Sequence, residues 1–177
     1  SDKSVARFQS GSNEIPIRFQ WRHEANRREH MRIAIINGPN LNILGRREPN
    51  IYGTRSMEQV LVDLQRVYPD VYLVYHQSNH EGDLIDWIQQ YGLLSMHNTP
   101  YNGIVLNAGG YTHTSIALRD AVACSRVPVV EMHISNIAER ESFRRISLLT
   151  DVCQHTIMGH GIEGYQEAVD WIIKHTK

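Results

Sequence analysis

A polar loop after the first predicted strand carries two adjacent arginines and a tyrosine. Arg46, Arg47 and Tyr52 lie within residues 44–53, a segment with glycines near both ends, as in a hinged lid. Tyrosine is a poor base because its ordinary pKa is ~10, but a nearby guanidinium favours the phenolate and lowers that pKa. Arg47 and Tyr52 therefore predict an activated general base. The spacing alone leaves open a second interpretation, a solvated basic turn beside a packed tyrosine.

A second polar cluster, Glu131 to Asn136, follows the fourth predicted strand. His133 can donate or accept a proton near neutral pH. Glu131 points to the same side of an extended strand and can orient the imidazole. Arg140 and Arg144 follow on a predicted helix, one turn apart on one face. A lone histidine at a strand end is more often structural, so this hypothesis depends on other loops that converge on it.

The loop after the third predicted strand has the composition of an anion-binding turn. It runs from Asn107 to Ser115 and contains two adjacent glycines. Small residues let backbone N–H groups approach a ligand, and the helix N-terminus that follows attracts negative charge. The alternative is a plain glycine turn with a threonine cap. A base, an acid, anion donors and arginines together predict proton transfer on a small anionic substrate.

These loops are positioned by a regular alternation of strands and helices. Short β-branched runs predict strands at 32–37, 71–77, 103–107, 127–133 and 154–158. Amphipathic stretches predict helices at 57–67, 80–90, 114–125, 138–149 and 165–175, with capping boxes at Ser56 with Gln59 and at Asn136 with Glu139. This alternation predicts an α/β fold, a flavodoxin-like three-layer sandwich with a five-stranded parallel sheet of order 2-1-3-4-5. Ligands of such sheets bind beyond the carboxyl ends of the strands.

The overall composition is that of one ordinary globular domain. The chain has 177 residues with 18 basic and 19 acidic side chains, so charge points neither to nucleic acid nor to a membrane surface. Two cysteines make no disulfide framework, and the apolar runs are far shorter than the ~20 residues of a membrane span. We expect a cytoplasmic protein with one catalytic domain over 31–177. Residues 1–30 are polar and aperiodic, and we expect an N-terminal leader, added for expression or peripheral to the fold.

Several motifs in order and spacing resemble the type II 3-dehydroquinate dehydratases. The matching stretches are Ile36-Asn37-Gly38-Pro39-Asn40-Leu41, Leu44-Gly45-Arg46-Arg47-Glu48-Pro49 with Tyr52-Gly53, Leu106-Asn107-Ala108-Gly109-Gly110 with Thr112-His113-Thr114-Ser115, Ala117-Leu118-Arg119-Asp120-Ala121, Glu131-Met132-His133-Ile134-Ser135-Asn136, Glu141 with Phe143-Arg144-Arg145, and Gly159 with Gly161, Gly164 and Tyr165. The resemblance extends over about residues 31–175. It implies a lyase that converts 3-dehydroquinate to 3-dehydroshikimate without a cofactor. Such an enzyme serves aromatic amino acid biosynthesis through the shikimate pathway, or quinate breakdown, and the sequence leaves both open.

The resemblance also implies a catalytic role for five residues. Tyr52 is similar to the general base that removes a proton beside the ketone, and Arg47 to the residue that lowers the pKa of that tyrosine. Asn40 is similar to a group that holds the enolate oxygen. His133 is similar to the acid that protonates the departing hydroxyl, and Glu131 to the partner that orients it.

Six further positions resemble substrate-binding groups of the family, namely Asn107, His113, Asp120, Ile134, Ser135 and Arg144. Asp120 is similar to a residue that reaches into the site of a neighbouring subunit. The resemblance therefore implies a homo-oligomer, a dodecamer of trimers, that binds 3-dehydroquinate and neither metal, nucleic acid nor membrane.

Three other functions fit parts of the sequence. Residues 159–164 match G-x-G-x-x-G, but a dinucleotide site needs a following strand and an acidic residue about twenty positions on. We interpret this segment as a tight turn that packs the last helix. Ten histidines suggest a metal hydrolase, yet no H-E-x-x-H pair occurs. A non-catalytic flavodoxin-like binding module fits the fold but leaves Arg47, Tyr52 and His133 unexplained.

Overall fold

A single parallel sheet forms the centre of the protein. The computed structural model describes residues 31–44, 55–93 and 100–176. Within them the strands pair in the order β2-β1-β3-β4-β5, as predicted. The strands are β1 (Arg32–Asn37), β2 (Tyr72–Gln77), β3 (Gly103–Asn107), β4 (Val129–His133) and β5 (His155–Met158). Each begins within two residues of its predicted start.

Helices cover both faces of this sheet. They are α1 (Met57–Val67), α2 (Glu81–Gly92), α3 (Ile116–Ala123) and α4 (Gly164–His175). One apolar cluster joins alternate strand residues to α1 and α4, and a second joins the remaining strand residues to α2 and α3. Because β1 and β3 are covered twice, their sequences are continuous apolar runs rather than alternating ones. The three-layer sandwich is therefore confirmed, as is the capping box of Ser56 with Gln59 at the start of α1.

The helix predicted over 138–149 is wrong. The backbone at Arg140 and Glu141 is extended, with ψ values of −176° and 149°, so no continuous helix can pass through them. The segment instead contains separate 3-10 turns at Ile137–Glu139, Ser142–Arg144 and Thr150–Val152.

The physical reason is the absence of a packed apolar face on this segment. Phe143 and Ile146 are 70% and 71% exposed, and most helices owe their stability to an apolar stripe buried against the rest of the protein. Asn136 is still an N-cap, since its side chain accepts the N–H of Ala138 at 3.1 Å. It caps a 3-10 turn and not a helix.

The structure describes none of residues 1–30, so the predicted leader lies outside it. In the part of the chain that is described, no helix combines the length and the apolar character that crossing a membrane requires.

Candidate active site

A cleft of about 200 Å³ opens at the carboxyl edge of the sheet. The loops that follow β1, β3 and β4 line it, as expected for a parallel sheet. Seven of the predicted site residues contribute to its walls, namely Asn40, Asn107, His113, His133, Ile134, Ser135 and Arg144. The sequence interpretation that three loops converge is therefore correct for these residues.

The loops after β1 and β3 meet through a glycine. Gly38 donates its N–H to the carbonyl of Asn107 at 2.7 Å, and a Cβ at this position would lie 2.5 Å from the carbonyl oxygen of Ala108. Only glycine permits this approach. Asn40, two residues on, adopts a left-handed backbone with φ of 68° and donates its N–H to Asn79 at 3.0 Å. Asparagine tolerates that conformation better than most residues.

A buried chain of uncharged hydrogen bonds holds Asn107. The phenol of Tyr165 donates to Asn37 Oδ1 at 2.8 Å, and its oxygen accepts from Asn107 Nδ2 at 3.1 Å. Asn37 Nδ2 in turn lies 3.5 Å from the Tyr75 hydroxyl. Because a phenol has one proton, its donation to Asn37 fixes the orientation of the Asn107 amide, whose Oδ1 accepts the N–H of Gly109 at 3.3 Å. We call Asn37, Tyr75, Asn107 and Tyr165 the neutral network.

Glu131 and His133 form a buried pair beside it at the end of β4. Nε2 of His133 lies 2.7 Å from Oε1 of Glu131, and their side chains are 6% and 1% exposed. Three hydroxyls also donate to the carboxylate, from Ser147 at 2.5 Å, Thr150 at 2.7 Å and Thr156 at 3.0 Å. We call these five residues the charged network.

The surroundings decide the charge of Glu131. Burial alone would raise its pKa, but the hydrogen bond and charge of His133, together with the hydroxyls of Ser147 and Thr150, outweigh burial and lower the pKa below its ordinary value. The carboxylate is therefore ionised at neutral pH. Since Nε2 of His133 faces Glu131, Nδ1 is the ring nitrogen left to serve a ligand in the cleft.

Two arginines give the cleft a basic wall. Arg144 was a predicted site residue, and Arg140 lines the cleft beside it. Arg140 Nη1 donates to Ser135 Oγ at 3.3 Å, and both guanidinium groups lie 3.4 Å from Glu141. They are not one helical turn apart, because the helix predicted there does not form. The family resemblance did not assign a role to Arg140, although the sequence pattern had placed it beside Arg144 after His133.

The glycine motif at 159–164 supports the loop after β4. Gly159 and Gly161 have φ values of 80° and 65°, and the N–H of Gly161 donates to the carbonyl of Ile134 at 3.0 Å. The segment leads directly into α4 at Gly164. It is thus the tight turn that the sequence suggested, and it also holds one side of the cleft.

Two predicted site residues that the structure describes, Glu131 and Asp120, do not line the cleft. Glu131 lies behind His133, and Asp120 is exposed on α3. Arg47 and Tyr52 lie outside the described residues, so their placement stays a prediction. Among residues 31–44, 55–93 and 100–176, no three His, Cys, Asp or Glu side chains gather as a metal site would require, and the metal-hydrolase alternative gains no support there.

Comparison with known proteins places the chain in a clear context. A sequence model described as dehydroquinase class II matches residues 31–173. The 3-dehydroquinate dehydratase of Exiguobacterium sp. is 50% identical over 147 residues, which cover 82% of this chain and 96% of that protein. The 3-dehydroquinate dehydratase of Halothermothrix orenii is 48% identical over 149 residues, which cover 80% and 93%.

Two solved structures share the fold. A type II dehydroquinase from Butyrivibrio crossotus has a TM-score of 0.75 at 45% identity and covers 81% of this chain and 98% of its own. A type II dehydroquinase from Propionibacterium acnes has a TM-score of 0.74 at 36% identity and covers 82% and 99%. The similarity therefore includes sequence and backbone over nearly the whole length of both structures.

Proposed function

The chain belongs to the class II dehydroquinase family, and from that premise we propose that it is a lyase that converts 3-dehydroquinate to 3-dehydroshikimate and water. The observation that carries the proposal is the family match over residues 31–173. The site supports it, because a buried carboxylate–imidazole pair beside an arginine-lined cleft suits acid–base chemistry on a small anion.

The reaction proceeds by removal of a proton first. Tyr52, activated by Arg47, takes the proton beside the ketone, and the electron pair moves to the ketone oxygen to give an enolate. Asn40 helps to stabilise that oxygen, since the proton beside a ketone is too weakly acidic to leave without such stabilisation. When the ketone re-forms, the carbon–oxygen bond to the neighbouring hydroxyl breaks, and His133 supplies the proton with which it departs as water.

The walls of the cleft suit the polar groups of this substrate. Arg144, aided by Arg140, supplies positive charge for the carboxylate, and the backbone of Ile134 and Ser135 supplies N–H donors. Asn107 and His113 serve the ring hydroxyls. Nδ1 of His113 lies 2.7 Å from the carbonyl of Ile146, which holds the ring in place and leaves Nε2 for the substrate.

A trimer-based oligomer, a dodecamer in full, completes the proposal. Ile116, Phe143 and Ile146 are 66%, 70% and 71% exposed, which is unusual for large apolar side chains and indicates a surface that another copy covers. Asp120 lies one helical turn after Ile116 on α3, so covering that surface would bring it to a second subunit. Light scattering tests this, and a monomer would contradict it.

The cellular setting follows from the same reaction. A dehydratase of this substrate acts in the shikimate pathway, which leads to aromatic amino acids, or in the quinate pathway. Both cysteines are free, as expected of a protein in a reducing, cytoplasmic compartment.

Turnover can be measured directly, because the product is a conjugated enone whose ultraviolet absorbance rises as it forms. We expect the purified protein to convert 3-dehydroquinate in the presence of a chelator. The Tyr52→Phe and Arg47→Ala variants should lower kcat by roughly 10²-fold or more, since each removes part of the base. Tyr68→Phe is the matched control, because the Tyr68 hydroxyl donates to Asp170 at 2.6 Å, between α1 and α4. No turnover, or a strict metal requirement, would overturn the proposal.

A further inference from the structure

The carboxylate of Glu131 has an unusually complete set of donors. Oε1 receives Nε2 of His133 and the hydroxyl of Ser147, while Oε2 receives the hydroxyls of Thr150 and Thr156. A carboxylate offers about four lone-pair sites. All of them are filled here, although the pairing of Glu131 with His133 alone would need only one.

The fold holds each hydroxyl in place. Thr156 on β5 lies directly opposite Glu131 on β4 in the parallel register. Ser147 accepts the N–H groups of Leu149 and Thr150 at 3.0 and 3.3 Å. Since those bonds use the lone pairs of the serine oxygen, its own proton is directed to Glu131. The three donors are thus set by the backbone and not by chance rotamers.

This arrangement limits where a proton can reside. A fully hydrogen-bonded carboxylate can take up a proton only if one of its donors withdraws. Proton transfer from His133 to Glu131 is therefore disfavoured, and Nε2 keeps its proton throughout. The other ring nitrogen, Nδ1, then exchanges protons with the cleft.

We propose that Ser147, Thr150 and Thr156 are positioning residues for the acid step, whose hydroxyls keep Glu131 an acceptor-only carboxylate and so fix the protonated nitrogen of His133. The proposal rests on the proposed function, because it assigns the three hydroxyls to the proton donor of that reaction.

Several charged or titratable groups surround this pair. His113, Arg140 and Arg144 come from the loops after β3 and β4 and line the same cleft. Cys153 comes from the segment before β5, and burial, followed by the charge of Glu131, raises the pKa of its thiol, which stays neutral. The arginines keep their charge, and the NMR measurement below resolves the two imidazoles of the cleft separately.

The first test is the pH profile of Thr156→Val, which removes one hydroxyl and keeps the β-branched shape. We expect kcat to fall roughly tenfold, with KM within about twofold, because the acid is mispositioned and not the substrate. The loss of kcat that protonation of Glu131 causes at low pH should begin at a higher pH, since a carboxylate with fewer donors binds a proton more readily. Thr156→Ser restores a hydroxyl and should restore both properties. An unchanged kcat and an unchanged onset of that loss in Thr156→Val would overturn the proposal.

The matched control for the serine is Ser125. Its hydroxyl donates to the carbonyl of Val127 at 2.8 Å and accepts the N–H of the same residue at 3.3 Å, in a turn before β4. Ser147→Ala should lower kcat roughly tenfold, whereas Ser125→Ala should leave it unchanged. Equal losses in the two variants would show a general effect of hydroxyl removal and overturn the assignment.

The second readout does not depend on turnover. ¹⁵N NMR of histidine-labelled protein should show the neutral ring of His133 protonated at Nε2, and Thr156→Val combined with Ser147→Ala should mix the tautomers. A wild-type ring protonated at Nδ1 would overturn the proposal. If the wild type showed the Nε2 tautomer but no dehydration of 3-dehydroquinate, the proposed function would fail while the role of the hydroxyls in holding the pair would stand.

Discussion

Two buried polar networks meet at the carboxyl edge of the sheet, and they differ in the presence of charge. The neutral network consists of amides and phenols around Asn107 and lies on the face covered by α1 and α4. The charged network centres on Glu131 and His133 and lies on the opposite face, since β4 residues alternate between the two. Both end at the same cleft.

The difference suggests that one network at this sheet edge orients a side chain, while the other serves proton transfer. In the neutral network each proton has one position, so Asn107 is held in one orientation at any pH near neutrality. Burial raises the pKa values of Tyr75 and Tyr165 far above that range. In the charged network, we propose, His133 exchanges a proton with the substrate and Glu131 determines which ring nitrogen does so. We expect mutations in the two networks to affect different kinetic constants.

The largest expected effect is that of removing the proposed acid. His133→Ala should lower kcat by roughly 10²–10⁴-fold, the usual contribution of a well-placed general acid, and should change KM little. Steady-state kinetics on the purified variant measure both constants.

The paired variant in the neutral network is Asn107→Ala. Because the proposed role of Asn107 is to bind the substrate and not to transfer a proton, its loss should act mainly on KM. If His133→Ala raised only KM, or if both variants gave the same pattern, the division between the two networks would be wrong.

A smaller effect is expected of Tyr165→Phe. The change removes the donor to Asn37 and leaves Asn107 Nδ2 with the sulfur of Met132, a weak acceptor at 3.7 Å. Loss of a buried hydroxyl between two amides should lower the free energy of unfolding by about 1–3 kcal/mol in a urea titration. KM should rise, while the pH profile of kcat should stay as in the wild type. Tyr68→Phe is the control. A shifted pH profile of kcat in Tyr165→Phe would show that the two networks do not act independently.

The sequence predicted the fold because its signals are local. The strands are near-continuous apolar runs of four to six residues. The apolar faces of the four correctly predicted helices, and the capping box of α1, each lie within one short segment of the chain. The segment at 138–149 misled because Phe143 and Ile146 have helical spacing yet are exposed. Helical spacing predicts a helix only where the spaced side chains are buried, and these two are not.

The site was only partly predictable for a related reason. Asn40, Asn107 and His133 follow strands directly, so topology alone brings them to one edge. Tyr165 and Thr156 contribute through contacts far along the chain, with Tyr165 128 residues from Asn37. No periodicity encodes such pairs, and only the folded backbone makes them neighbours.

The two networks should also differ in how their contribution to the free energy of unfolding depends on pH. Although burial opposes it, hydrogen bonding lowers the pKa of Glu131 in the folded protein. The stability this group contributes is therefore present above the pKa of an unfolded glutamate, ~4.3, and is lost as pH falls through the folded value. Below pH ~4.3 the free energy of unfolding should fall less steeply in Glu131→Gln than in the wild type. The difference in slope should be at most about 1.4 kcal/mol per pH unit, the value for one proton. Urea titrations at several pH values measure it, and equal slopes would contradict the ionised carboxylate.

A third buried site, His76 on β2, shows how an imidazole behaves without a carboxylate. It stacks on Trp87 with ring centroids 4.6 Å apart, and Nε2 lies 2.5 Å from the Tyr91 hydroxyl. Burial lowers the pKa of His76 from 6.5 to about 4. As pH falls, His76 therefore takes up a proton in the unfolded chain before it does so in the folded protein. The stability that neutral His76 contributes is present above pH ~6.5 and is lost as pH falls towards 4.

His76→Phe should remove this loss while keeping a ring between its neighbours. Between pH 7.5 and 6 the wild type should lose about 1 kcal/mol more unfolding free energy than the variant, the smallest effect considered. Tyr91→Phe is the control, because it removes the hydrogen bond but leaves the imidazole buried, and burial is the cause of the shift. The same slope in wild type and His76→Phe would mean that burial does not shift the pKa of this histidine. Burial without a carboxylate partner would then not explain how the stability of this part of the sheet depends on pH.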